Sequence, residues 1–130
     1  MDKSAKQQKG RLGEDAVCAV LERRGHIILA RNYRKPFGEI DIISRKGGFI
    51  VFTEVKARKR GSMVSGLEAV GAAKRRRLIL TADAYLTENP AALQPRYDIA
   101  QVTLTGEPPA VERVDIYEDA FTTDGTYTVN

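Results

Sequence analysis

The chain has 130 residues, 42% of them hydrophobic, a size that suits one domain around a single core and leaves little room for a second. Its 21 Lys and Arg outnumber 17 Asp and Glu for a net charge of +4, which favours a polyanionic partner. Cys18 is the one cysteine and His26 the one histidine, so an intrachain disulfide and a zinc site built from Cys and His pairs are both excluded, and any metal must be held by oxygen. Met1 to Lys9 has no apolar signal-peptide core and no later stretch is long enough to cross a bilayer; a cytoplasmic protein without membrane association is expected.

From about Gly10 to Arg24, Leu12, Ala16, Val17, Ala19, Val20 and Leu21 recur at helical spacing and Gly25 supplies a stop, which predicts a first helix. Gly13 falls inside its apolar arc and Glu14 at the edge, where a side chain can run along the boundary between helix and sheet. Ile27 to Asn32 reads as a strand, followed by a loop from Arg34 to Gly38. Residues 39–44 and 49–56 are two β-rich runs around Gly47-Gly48, a strong hairpin signal. The connection from Arg58 to Gly71 reads as irregular, with a lid or substrate-contact loop as one use for it. A helix is expected from about Ala72 to Leu86, closed by Asn89-Pro90, and two strands at 97–104 and 111–116. The predicted order is αβββαββ, an α/β (α+β) fold with a central mixed sheet of about five strands flanked by helices. Residues 1–118 form the expected domain and 119–130 a flexible tail.

If Gly47-Gly48 are the two turn residues, Lys46 faces Phe49, Asp41 faces Glu54 and Glu39 faces Lys56. Two carboxylates across an antiparallel pair sit roughly 5 Å apart at Cβ and repel. A divalent cation between Asp41 and Glu54 would turn that repulsion into coordination, the Val55 carbonyl could add a ligand, and Mg²⁺ fills its remaining positions with waters and phosphate oxygens. Lys56 shares the face of Glu54, where an ammonium can orient an attacking water or stabilise charge on a phosphate. The set fits phosphodiester hydrolysis by a metal-activated water. The plainer alternative makes these residues the polar members of a half-exposed hairpin, yet Ile40, Ile42, Ile43, Ile50, Val51, Phe52 and Val55 mark the hairpin as central to the core, where unpaired charge is costly.

Gly-Glu-Ile-Asp-Ile-Ile at 38–43, Val-Phe-Thr-Glu-Val-Lys-Ala-Arg at 51–58, Gly13-Glu14, Arg31-Asn32-Tyr33-Arg34, Ala69-Val70 before Lys74, and Arg96-Tyr97-Asp98 resemble the YraN-like family of small bacterial proteins, over nearly the whole chain to about Ile116. That family is similar to the PD-(D/E)xK nuclease superfamily, especially the archaeal Holliday junction resolvases. The resemblance implies a restriction-endonuclease-like domain, Asp41 and Glu54 as ligands of Mg²⁺ or Mn²⁺, Lys56 as the catalytic lysine and Glu14 as the helical acid that completes the site. It implies an endonuclease on DNA, branched or structured DNA included, and a homodimer as one assembly, since a junction presents two strands to cut. Ile40 stands where the superfamily pattern has proline.

Basic residues near the acids are candidates for nucleic-acid binding: Arg34 and Lys35 in the first loop, Arg58 and Lys59 with Arg60 after the hairpin, and the run Lys74-Arg75-Arg76-Arg77 on the second helix, of which at most two or three can face one ligand; Lys74 and Arg75 are singled out, and the resemblance sets Lys74 beside the acids. Tyr33 and Phe37 are candidates for base stacking, with core packing as the alternative. Glu39 is expected to neutralise Lys56, Cys18 to fill core space, His26 to lie exposed after Gly25, and Arg96 and Asp98 to form a structural ion pair. A non-catalytic nucleic-acid-binding module on the same scaffold is the alternative function, and a protein-interaction domain using the sheet edge a third.

Overall fold

Helical periodicity gives way to alternation at Gly25, and the backbone follows it in the computed structural model, which describes residues 3–62, 70–123 and 126. The elements are α1 (Lys3–Arg23), β1 (Ile27–Lys35), β2 (Gly38–Lys46), β3 (Phe49–Lys59), α2 (Ala72–Glu88), β4 (Gln94–Thr105) and β5 (Ala110–Phe121). They form the expected αβββαββ order around one mixed sheet with strands in chain order. Only β3 and β4 run parallel, and α2 lies in the crossover between them. No described helix is long and apolar enough to cross a membrane.

α1 begins seven residues earlier than the apolar spacing shows, because Lys3 to Lys9 has good helix formers but no apolar stripe. It ends where Gly25 takes φ 92°: the His26 N–H donates to the Leu21 carbonyl at 2.9 Å and the Gly25 N–H to that of Glu22 at 3.1 Å, a Schellman closure. β1 is longer than expected, since Arg34 and Lys35 pair with Glu39 and Gly38 and leave only Pro36-Phe37 as the turn. The strand is uneven, with a register shift between Ile28 and Ala30 and Asn32 at φ 53°.

The predicted β2–β3 register holds from Lys46↔Phe49 to Ile42↔Thr53, and there the ladder ends. The expected pairs Asp41↔Glu54 and Glu39↔Lys56 are not made; beyond Ile42, β2 pairs with β1 alone. Ile40 packs on the α2 side of the sheet and Ile42 on the α1 side, although residues two apart on a regular strand share a face. β2 therefore twists at Asp41.

Two cores sandwich the sheet. Val17, Cys18 and Leu21 of α1 pack on Ile42, Ala100, Val102 and Leu104, so Cys18 does fill space. Leu78 and Ala82 of α2 pack on Ile40, Ile43, Phe52 and Ile99, and the rings of Phe52, Tyr97 and Phe121 stack in series at 5.7 and 5.1 Å. Gly38 touches α2 so closely that a Cβ there would lie 2.4 Å from Thr81 Oγ1 and 3.1 Å from the Arg77 carbonyl oxygen.

Three expectations change. β5 continues to Phe121, and Ala120 and Phe121 are fully buried, so the first residues of the expected tail belong to the core; residues 124, 125 and 127–130 lie outside the described residues. β3 extends to Lys59, and residues 63–69 of the expected irregular connection also lie outside them. His26 is buried rather than exposed, its Nδ1 2.9 Å from the buried Ser44 hydroxyl. The Arg96–Asp98 pair forms as expected, with two hydrogen bonds of 2.9 Å, and Asp98 also accepts the Asp119 N–H. Truncating Phe121→Ala should cost about 3–5 kcal/mol in urea unfolding, whereas a tail residue would cost less than about 0.5.

Candidate metal centre and basic cleft

Where β2 leaves β3, the Val55 N–H donates to Asp41 Oδ2 at 2.8 Å instead of to a main-chain carbonyl of β2. A strand residue's N–H and C=O lie on the same side of the strand, so the Val55 carbonyl faces the same gap. Asp41 is partly buried, and its carboxyl is pushed up to about 7, first by burial and then by the charge of Glu54, with the Val55 N–H pulling the other way.

Glu54 lies on the α2 face of β3 and is 4% exposed. Its Oε1 takes two ammonium groups, Lys56 Nζ at 3.6 Å from its own strand and Lys74 Nζ at 3.3 Å from the first turn of α2. Its Oε2 is buried without a hydrogen-bond partner; among the described residues only Thr53 Oγ1 shares that condition. An ionised oxygen in that state is costly unless a cation or proton meets it. Two neighbouring carboxyl groups and a main-chain carbonyl are an oxygen set that fits Mg²⁺ or Mn²⁺, which need only one or two carboxylates.

Glu14 comes near without joining them. Gly13 lies against β3, where a Cβ would meet the Ala57 Cβ at an ordinary 3.4 Å. The Glu14 carboxyl is raised by burial and by Asp41, but it is held by Arg31 at 3.6 Å and lines a neighbouring cavity with Asn32 and Arg31. No three His, Cys, Asp or Glu side chains among the described residues are grouped closely enough to hold a metal.

A cavity of about 480 Å³ opens over Asp41 and Glu54, lined by Arg34, Lys35, Phe37 and Glu39 on one side and Lys74, Arg77 and Leu78 on the other. Arg34, Lys35 and Lys74 were expected near the acids. Lys35 is bound to Glu88, and Arg34 to Glu39 at 3.2 Å, so Glu39 neutralises Arg34 and not Lys56. Arg75 turns away and donates to the Val70 carbonyl at 2.9 Å. Arg58 donates to the Ala57 carbonyl, and Lys59 lines a separate cavity with Lys9 by the β4–β5 turn. Arg77, a member of the basic run on α2 that the sequence did not single out, lines the cleft with Lys74. Its signal was the spacing 74, 77, 78, 81 and 82, which sets it between Lys74 and the buried Leu78, Thr81 and Ala82.

The fold and site together define a single-sheet α+β protein with two adjoining carboxyl groups at a basic cleft. The chain belongs to the uncharacterised protein family UPF0102, whose model matches residues 13–102. This agrees with the resemblance to YraN-like proteins. A UPF0102 protein of Syntrophotalea carbinolica is 43% identical over 89% of this chain and 93% of its own length. One from Dictyoglomus thermophilum is 41% identical over 74% and 82%. One from Oleidesulfovibrio alaskensis is 43% identical over 82% of this chain, which spans about half (54%) of that relative.

Asp41 favours its proton in the fold, so in metal-free buffer its contribution to stability is present below the ordinary carboxyl range and is lost as pH rises through about 7. Burial holds His26 below its ordinary value, which acts in the opposite direction. Comparison with Asp41→Asn isolates the carboxyl: between pH 5 and 8 the wild type should lose roughly 1–3 kcal/mol relative to the variant in urea unfolding. Added Mg²⁺ or Mn²⁺ should restore the loss at pH 8 in the wild type and have no such effect on the variant.

Proposed function

We propose that this protein is a Mg²⁺- or Mn²⁺-dependent endonuclease of the cytoplasm that hydrolyses phosphodiester bonds in DNA, with branched or structured DNA as its target. The observation that carries this reading is the unpartnered Glu54 Oε2, buried beside a second carboxyl group at the floor of a basic cleft. Asp41, Glu54 and the Val55 carbonyl would hold the ion. When bound, such an ion supplies Lewis acidity at a phosphate oxygen and lowers the pKa of water.

The chain's own groups account for the rest. Lys56 and Lys74 bring two positive charges to the rim of the acids, where a phosphodiester gains negative charge as it reacts. Lys74 and Arg77, on adjacent turns of one helix face, suit successive phosphates of a strand. In the hydrolysis, water adds to phosphorus, one P–O ester bond breaks and the departing oxygen takes a proton, leaving a phosphate monoester and a hydroxyl. The resemblance to PD-(D/E)xK nucleases supports the same roles. A symmetric pair of chains would suit a junction with two strands to cut.

Purified protein should cleave at least one of single-stranded, duplex, forked or four-way DNA when given Mg²⁺ or Mn²⁺, and Asp41→Ala and Glu54→Ala should abolish it. Loss of cleavage on every substrate, with salt-sensitive binding retained, would move the reading to a non-catalytic binding module. Lys56→Ala should lower turnover about 100- to 1,000-fold while metal binding by calorimetry stays unchanged. Arg77→Ala should reduce the slope of log affinity against log salt by about 1.

A further inference from the structure

Hairpin tips ordinarily carry Gly, Asn, Asp or Ser, yet the β1–β2 turn is Pro36-Phe37, and Phe37 is 44% exposed. Tyr33, the other candidate for stacking, is engaged, and so are the phenylalanines elsewhere in the fold. Tyr33 packs edge-on to Tyr85 at 5.2 Å and donates its hydroxyl to Glu88. Phe49 lies under the Arg96 guanidinium at 5.3 Å, and Phe52 and Phe121 are buried in the ring stack. Among the described residues no ring or guanidinium packs on Phe37.

The ring's location is more informative than its exposure. Phe37 lines the cavity that holds Asp41 and Glu54, with Lys74 and Arg77 on the opposite wall. The tip is also held in advance. Pro36 fixes its own φ, Gly38 is pressed against Thr81 and Arg77 of α2, and Lys35 is tied to Glu88 near the end of that helix. A ligand therefore meets a turn whose backbone is already positioned, which lowers the ordering cost of binding.

We propose that Phe37 is a base-stacking residue and that the cleft takes a nucleotide unstacked from its neighbour, so that single strands and branch points are bound in preference to continuous duplex. The proposal rests on the nucleic-acid reading above and adds the kind of nucleotide that the site accepts. Cations on the helix wall suit the backbone, the ring suits the π-face of a base, and a stacked duplex offers no free face. Stacking on an aromatic tolerates any base, so the preference is for structure rather than sequence.

The chain contains no tryptophan, so Phe37→Trp creates a single emission reporter at this position. In metal-free buffer, single-stranded, forked and continuous duplex oligonucleotides of equal length are titrated by fluorescence anisotropy against wild type, Phe37→Ala and Phe37→Trp. The expected result is roughly 5- to 100-fold weaker binding of single-stranded and forked DNA by Phe37→Ala, with duplex affinity unchanged. Phe37→Trp should keep wild-type affinity and lose emission on binding single strands. Unchanged affinity in Phe37→Ala, or unchanged tryptophan emission at saturation, overturns the stacking role and leaves the nuclease reading standing. Absence of salt-sensitive binding by all three proteins overturns both.

Discussion

Two carboxyl groups that share a partly buried gap repel each other and resist losing water, and much of the local structure around Asp41 and Glu54 answers that cost. The β2–β3 ladder ends one residue before the acids would face each other, and the twist of β2 at Asp41 takes their place in the register. The donor freed by that ending, the Val55 N–H, goes to Asp41. The two lysines converge on one oxygen of Glu54 and leave the other unmet. What compensation the protein supplies is thus incomplete in a directional way: one side of one carboxylate still calls for a cation or for a proton shared with Asp41.

Helix α2 serves packing and charge with a single face. Leu78, Thr81 and Ala82 are buried along a stripe whose first two turns carry Lys74 and Arg77 at the cleft. That geometry needs the hairpin to approach the helix closely, which Gly38 permits by having no side chain to collide with Thr81. A glycine that looks like turn punctuation in the sequence therefore sets the cleft's width. Gly13 of α1 faces Ala57 on the other side of the sheet under no such constraint, since a Cβ there would make an ordinary contact at 3.4 Å.

Element order, the hairpin register near its turn and the grouping of Asp41, Glu54 and Lys56 were legible because alternation, a two-glycine turn and residue spacing are local signals, whereas Lys74 was set beside them by the family resemblance alone. The end of the ladder was not, since turn geometry fixes register but not how far a pair continues, and here electrostatics and twist intervene. Lys74 to Arg77 is an unbroken basic run, so only the buried positions after it show that Arg77 faces the cleft and Arg75 does not. Lys59 is one residue beyond Arg58 and so falls on the opposite face of β3. The charged Glu118 and Asp119 separate the strand expected at 111–116 from Ala120 and Phe121, whose burial no local pattern shows. His26 stays inside because Ser44, distant in sequence, supplies its ring with a partner.

The unevenness of β1 has a consequence for life in a crowded solution. This strand forms one border of the sheet and exposes Ile27 and Leu29, a pairing that would invite a strand from another molecule. The register shift between Ile28 and Ala30 and the left-handed turn of Asn32 interrupt its free row of amides and carbonyls. An invading strand finds no straight template longer than a few residues. The irregularity of β1 thereby disfavours edge-to-edge pairing between copies of the protein.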